Sequence, residues 1–246
     1  MNKTQRVKPK KLELKCMDKR FLPWQDNEHP HNDVLRMHNA GGTVQINELL
    51  RILKENPSIK WVHVVTHTGE EGTGCGAVGV IFTAIKDPQK YKEFGFSDKV
   101  GKLLVEPYLG RTFETKRELE SIHNHVQRQR ALEGLSKEFP DIKVTSEILD
   151  VSSINVPVDH GKHYLVLVPP SIIDNATLVK KAGAEMGGTY IIRATTMENA
   201  MPHIEVAVKA LHVVDIRCNG FSNKDIEDMK SALRPINVDV TQFSTD

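Results

Sequence analysis

Trp61-Val62-His63-Val64-Val65-Thr66 is a short apolar and β-branched run, closed on both sides by turn-forming sequence, and it leads directly to His67. Such a run predicts a buried parallel strand. Parallel strands need crossover connections that return the chain to the same end of the sheet, so helices are expected on either side. Upstream, Lys11-Leu12-Glu13-Leu14-Lys15-Cys16 alternates apolar and polar residues, a strand pattern that delivers Cys16 and Asp18 to the strand's end. Residues 21–33, rich in Pro, Asn, Asp and His, read as a loop. Asp33-Val34-Leu35-Arg36-Met37 reads as a second strand, stopped by Asn39-Ala40-Gly41-Gly42. Between Thr43 and Asn56 the apolar positions Val44, Ile46, Leu49, Leu50 and Leu53 fall at helical spacing, with Asn56-Pro57 as the stop.

Downstream, Cys75 to Ile85 is apolar and rich in small residues, which predicts a packed helix beginning near Cys75. Residues 86–110 are mixed and yield no clear element. Thr115 to Phe139 predicts a long polar helix with Leu119, Ile122, Val126 and Leu132 inward and Pro140 as its end. The rhythm then continues as strand 162–168, helix 173–186, strand 189–194, helix 198–210, strand 211–217 and helix 222–233. This alternation predicts an α/β fold with a central, mainly parallel β-sheet flanked by helices. A single domain over 1–246 is expected, with a flexible basic tail at 1–11, a core at 12–175 and a C-terminal strand-helix extension at 176–246. No internal repeat is visible in the sequence.

Composition narrows the function. The chain has 246 residues, of which 39% are hydrophobic and 26% charged, ordinary values for a globular protein. Lys and Arg number 33 against 32 Asp and Glu, so no global field would recruit nucleic acid or an anionic membrane. The basic first eleven residues lack the apolar core of a signal peptide or a span. Three cysteines cannot make a disulfide framework, which points to a reducing, cytoplasmic setting. Cys218, inside a strand-like run, reads as a buried small hydrophobe.

Cys16 and Cys75 sit instead in polar or glycine-rich surroundings. Together with His67 they lie just after predicted parallel strands, where open α/β sheets place their sites. Two thiolates and an imidazole suit zinc and leave its fourth tetrahedral position open, as catalytic sites do. A helix N-terminus at Cys75 would favour the thiolate. Asp18 and Arg20 bring a carboxylate and a guanidinium beside that position. Each element alone has a plainer reading: Cys-x-Asp-x-Arg recurs by chance, a histidine after a strand can be structural, and Asp18–Arg20 can be an ordinary ion pair. The conjunction points to a metal-dependent hydration enzyme. The glycines at 69, 72, 74, 76 and 79 could instead cradle phosphate, but the Gly-Lys-Ser/Thr ending of a P-loop is missing. His29-Pro30-His31 is placed to shuttle protons near the site mouth, although loop histidines are ordinarily solvated.

Three segments in order, Cys16-Met17-Asp18-Lys19-Arg20, His38-Asn39-Ala40-Gly41-Gly42 and His67-Thr68-Gly69 with Cys75-Gly76-Ala77-Val78, resemble the β-class carbonic anhydrases. That family carries Cys-x-Asp-x-Arg, Arg-Asn-Ala-Gly and His-x-x-Cys-Gly in the same sequence. Asn124-His125-Val126 with Gln129 and Leu132 resembles the helix that follows, and the likeness covers roughly residues 12–170. It implies Zn2+ on Cys16, His67 and Cys75, with water or hydroxide as the fourth ligand. Asp18 would accept a hydrogen bond from that water, and Arg20 would keep Asp18 ionised and oriented. The implied activity is that of a zinc lyase (carbonate dehydratase) converting carbon dioxide reversibly to bicarbonate, in a homodimer or higher homo-oligomer. Relatives with the same site hydrolyse carbonyl sulfide or carbon disulfide.

Three departures stand out. The gap between His67 and Cys75 is seven residues, against two in the family, and a 69–74 loop folding inward would leave a non-catalytic zinc protein. In that case Glu70 or Glu71 would approach the metal. His38 replaces the arginine of the second motif, and the chain beyond about residue 176 extends past the family core.

Overall fold

The computed structural model describes residues 8–18, 20, 33–69, 74–154 and 162–244. Glu70 and Glu71, the tail before residue 8, and His29 and His31 lie outside the described residues. Strands β1 (Lys11–Cys16), β2 (Val34–Asn39) and β3 (Trp61–Thr68) stand side by side and parallel, with β1 between the other two. Because β1 is central, its polar residues are buried along with its apolar ones. Glu13 resolves this by accepting Lys11 Nζ at 2.7 Å and Lys15 Nζ at 2.8 Å. Burial alone would push the Glu13 carboxyl up, but Lys15 and Lys11 outweigh it and hold the group down at about 2.

The described residues form one eight-stranded sheet in the order β4-β3-β1-β2-β6-β5-β7-β8. The further strands are β4 (Lys143–Asp150), β5 (Tyr164–Val168), β6 (Thr189–Arg193), β7 (Asp215–Cys218) and β8 (Asp239–Gln242). Every neighbouring pair is parallel except β2 and β6, which meet antiparallel. The mainly parallel α/β sheet is therefore as expected. Strands β4 and β8 are additions to the expectation. Both are sheet edges with largely exposed side chains, so neither shows the apolar run or clean alternation that marks a strand in sequence.

The helices are α1 (Ile46–Glu55), α2 (Gly76–Lys86), α3 (Pro88–Glu93), α4 (Lys116–Leu135), α5 (Asn175–Lys181), α6 (Met197–Ala210) and α7 (Asn223–Leu233). Side-chain caps fix several of their starts: Thr115 accepts from Glu118 N, Asp174 from Thr177 N, and Ser222 and Asp225 form a capping box. Between α3 and α4 the chain makes further helical turns over Asp98–Tyr108, in the stretch that had no legible pattern. Helix α5 is much shorter than the 173–186 expected, because Gly183 takes a φ of 65° just past its end. Among the described residues no helix is long and apolar enough to cross a membrane.

Candidate metal centre

Cys16 is the last residue of β1, His67 is the penultimate residue of β3, and Cys75 stands at the N-cap of α2. Since β1 and β3 are neighbours, their C-terminal ends present Cys16 and His67 side by side. Helix α2 then starts at the same end of the sheet and brings in Cys75. The two Sγ atoms are 3.8 Å apart, and the ligand atoms of all three residues lie within 4.8 Å of one another. Two Zn–S bonds of ~2.3 Å at a tetrahedral angle would place their sulfurs ~3.8 Å apart, so the spacing fits a four-coordinate metal. All three side chains are buried, and among the described residues no other group of His, Cys, Asp and Glu is placed to hold a metal.

The protonation pattern without metal is that of a coupled set. Burial pushes the Cys16 thiol up, whereas the hydrogen bond from Cys16 and the neighbouring His67 hold the Cys75 sulfur down. Burial works against a charged His67 ring, but the Cys75 and Asp18 charges prevail and raise it. One sulfur thus keeps a proton that a divalent cation would displace.

Asp18 and Arg20 form a two-pronged pair beside this cluster. Asp18 Oδ1 accepts from Arg20 Nε at 2.8 Å and from Arg20 N at 3.0 Å, and Oδ2 accepts from Arg20 Nη2 at 2.8 Å. Burial would raise the carboxyl, but the Arg20 hydrogen bonds and the His67 charge hold it below its ordinary range. Asp18 Oδ2 lies 3.5 Å from His67 Nε2, yet Asp18 is not one of the three mutually close ligands. Arg20 Nη2 also donates to Gly74 O at 3.3 Å, so the guanidinium braces the end of the inserted loop. The sequence-derived site residues are therefore brought together.

Of four polar residues of α4 that belong to this region, only Asn124 is singled out in the sequence. Glu120, His123, Asn124 and Gln127 recur at helical spacing and look like a solvent face, but all four are buried. Each meets a polar group of the site scaffold. Glu120 accepts from Cys75 N at 2.6 Å and Gly69 N at 3.3 Å, clamping both ends of the insertion. Asn124 Nδ2 donates to Thr66 Oγ1 at 3.0 Å and to Glu147 O at 2.8 Å. His123 Nε2 lies 2.8 Å from Gly41 O, an acceptor only, so that nitrogen must carry the proton. Burial keeps the His123 ring neutral, so Nδ1 accepts from Tyr108 O–H at 2.6 Å. The Tyr108 oxygen in turn accepts from Gln127 Nε2 at 3.0 Å, while Gln127 Oε1 takes Val44 N at 2.8 Å.

This chain of bonds fixes the Ala40–Gly42 turn that passes under the cluster. Gly41 has a φ of 72°, which favours glycine, and a Cβ there would crowd His123 Nε2 at 3.1 Å. His38 is buried in β2 opposite Arg193 of β6, and its ring is held neutral by burial and by the Arg193, Lys15 and Arg36 charges. The fixed charge missing at position 38 is thus present across the strand junction. His125 and Gln129 face solvent on α4.

No protein-family model and no curated protein sequence matches this chain. Among solved structures, a carbonic anhydrase from Streptococcus mutans is similar at 19% identity over 61% of this chain and 82% of that one, with a TM-score of 0.39. The β-carbonic anhydrase CafA of Aspergillus fumigatus is similar at 16% identity, over 70% of this chain and 80% of that one, with a TM-score of 0.37. The apo form of a carbon disulfide hydrolase is similar at 18% identity, over 63% and 80% of the two chains, with a TM-score of 0.36. At these identities and scores the likeness adds nothing to what the sheet and the site residues carry by themselves.

Proposed function

We propose that the protein is a zinc enzyme that hydrates carbon dioxide reversibly to bicarbonate. The observation that carries this reading is the buried Cys16–His67–Cys75 triangle with tetrahedral spacing, flanked by an intact Asp18–Arg20 pair. Cys16, His67 and Cys75 would hold the ion. A zinc ion held there would supply Lewis acidity, which lowers the pKa of a water from ~15.7 towards ~7. Asp18, kept ionised by Arg20, is an acceptor that orients the attacking water by one of its protons. Arg20 donates to both Asp18 oxygens and to Gly74 O, which holds the carboxylate in a fixed orientation beside the three ligands. The buried set lowers the local dielectric and strengthens each of these contacts.

Small neutral carbon dioxide and its bicarbonate product are the proposed substrates. Three free cysteines support a cytoplasmic setting, and a homo-oligomer is proposed from the motif resemblance. Carbonyl sulfide or carbon disulfide hydrolysis at the same centre is the second reading, favoured by the lengthened gap between His67 and Cys75. Stopped-flow hydration of carbon dioxide by zinc-loaded protein, run beside carbonyl sulfide and carbon disulfide hydrolysis, separates the two. Hydration well above the buffer rate and lost in Asp18→Asn is expected. Stoichiometric zinc with none of the three activities would leave a non-catalytic zinc protein.

A further inference from the structure

The strand order carries a symmetry that the sequence hides. Counted outward from the β2–β6 junction, one half of the sheet runs β2, β1, β3, β4 and the other runs β6, β5, β7, β8. In chain order, the first strand of each half (β1 or β5) pairs with the second and the third, and the third pairs with the fourth, all parallel. The registers coincide as well. Lys11 faces Val34 and Trp61, and Tyr164 faces Thr189 and Asp215. Trp61 then faces Lys143 as Asp215 faces Asp239.

On this scale His38 and Arg193 occupy the same position, four residues after Val34 and Thr189, and they are partners across the antiparallel junction. A position that pairs with its own counterpart marks a twofold axis. Neighbouring hydrogen bonds repeat the relation. Ile191 N donates to Met17 O at 3.2 Å, and Arg36 N donates to Ser171 O at 3.0 Å. Ile191 and Arg36 are counterparts, and their acceptors differ by one residue in register, since Met17 matches Pro170, the neighbour of Ser171.

We propose that residues 164–242 are a second copy of the 11–150 unit, without metal ligands, that takes within one chain the place of a second subunit beside the metal loop. The positions matching Cys16 and His67 are Pro169 and Phe221, and the helix cap matching Cys75 is Ser222, so the second copy lacks the donor set. Its contribution is positional. Met17 lies between Cys16 and Asp18, and the bond from Ile191 fixes the backbone there. Tyr190, beside Ile191, is buried in the same core cluster as Cys16 and Met17. The β2 edge is filled from inside the chain, so self-association would use another surface.

Arg36 and Ser171 form an antiparallel bridge. In the full-length, zinc-loaded chain the pair Arg36→Cys with Ser171→Cys, oxidised gently, should cross-link within one chain and retain one zinc, with the two single variants as controls. A covalent dimer, or no cross-link, overturns the proposal. Because Arg36 is buried, hydrogen exchange on the unmodified chain backs this up. The Ile191 and Arg36 amides should be equally protected from nanomolar to high micromolar protein, and protection lost on dilution overturns pairing within the chain. A second tight zinc equivalent held by the 164–242 half overturns the metal-free assignment.

Discussion

Glu120→Ala removes the acceptor that ties Gly69 and Cys75 together across the inserted loop. Its carboxylate takes Cys75 N at 2.6 Å and Gly69 N at 3.3 Å, with Lys116 Nζ 3.8 Å away. A buried donor left unsatisfied costs ~1–3 kcal/mol, so two such groups set an upper limit of ~2–6 kcal/mol. Part of that cost is recovered as the loop ends relax towards water, and this relaxation moves Cys75 away from Cys16 and His67. Groups that orient metal ligands typically change affinity ~10–100-fold, equivalent to ~1.4–2.7 kcal/mol. We therefore expect Glu120→Ala to bind zinc ~10–100-fold more weakly in a chelator competition. Zinc should also raise the variant's melting temperature by less than it raises the parent's. Glu120→Gln keeps one acceptor oxygen and should fall between the two. Zinc affinity of Glu120→Ala within about twofold of the parent would refute the clamp.

Other expectations follow from the same contacts. Asp18→Asn and Arg20→Ala should keep zinc but lower carbon dioxide hydration ~100-fold, and unchanged turnover would reduce them to a structural ion pair. Burial pushes the His203 ring down to about 3. Its stabilisation is therefore complete above the unfolded value of ~6.5 and drains away as pH falls towards 3, by up to ~1.4 kcal/mol per pH unit. Urea titrations at pH 7 and pH 5 should show His203→Gln losing ~2 kcal/mol less than the parent over that interval; equal losses would contradict the assignment. Tyr108→Phe breaks the relay from Gln127 to His123 and should cost ~1–3 kcal/mol in chemical denaturation with zinc content unchanged. A cost near zero would mean that the relay does not hold the Ala40–Gly42 turn.

The strands that carry the site were legible because burial writes itself into their residues. Leu12 and Leu14, and Val62 and Val64, are all essentially inaccessible, and their runs announce β1 and β3. Cys16, His67 and Cys75 were legible as strand-end and helix-start residues, since parallel topology collects such ends at one edge. Helix α4 misled on its inner face. Glu120, His123, Asn124 and Gln127 have the spacing of a solvated stripe, and only the backbone groups they satisfy reveal that the stripe is internal. Strands β4 and β8 escaped because a half-exposed edge strand needs little apolar sequence. The repeated strand order escaped for a different reason. Topology and register are kept by backbone hydrogen bonds, which accept almost any side chain, so Lys11 and Tyr164 can be equivalent while sharing no chemistry.

X-ray absorption at the zinc edge of the loaded, full-length protein tests the central claim most directly. Two sulfur neighbours at ~2.3 Å and two nitrogen or oxygen neighbours at ~2.0–2.1 Å are expected, from Cys16, Cys75, His67 and one exchangeable ligand. The Cys75→Ser protein should then show a single sulfur. A shell without two sulfurs in the parent, or one unchanged by Cys75→Ser, would contradict the assignment of this centre.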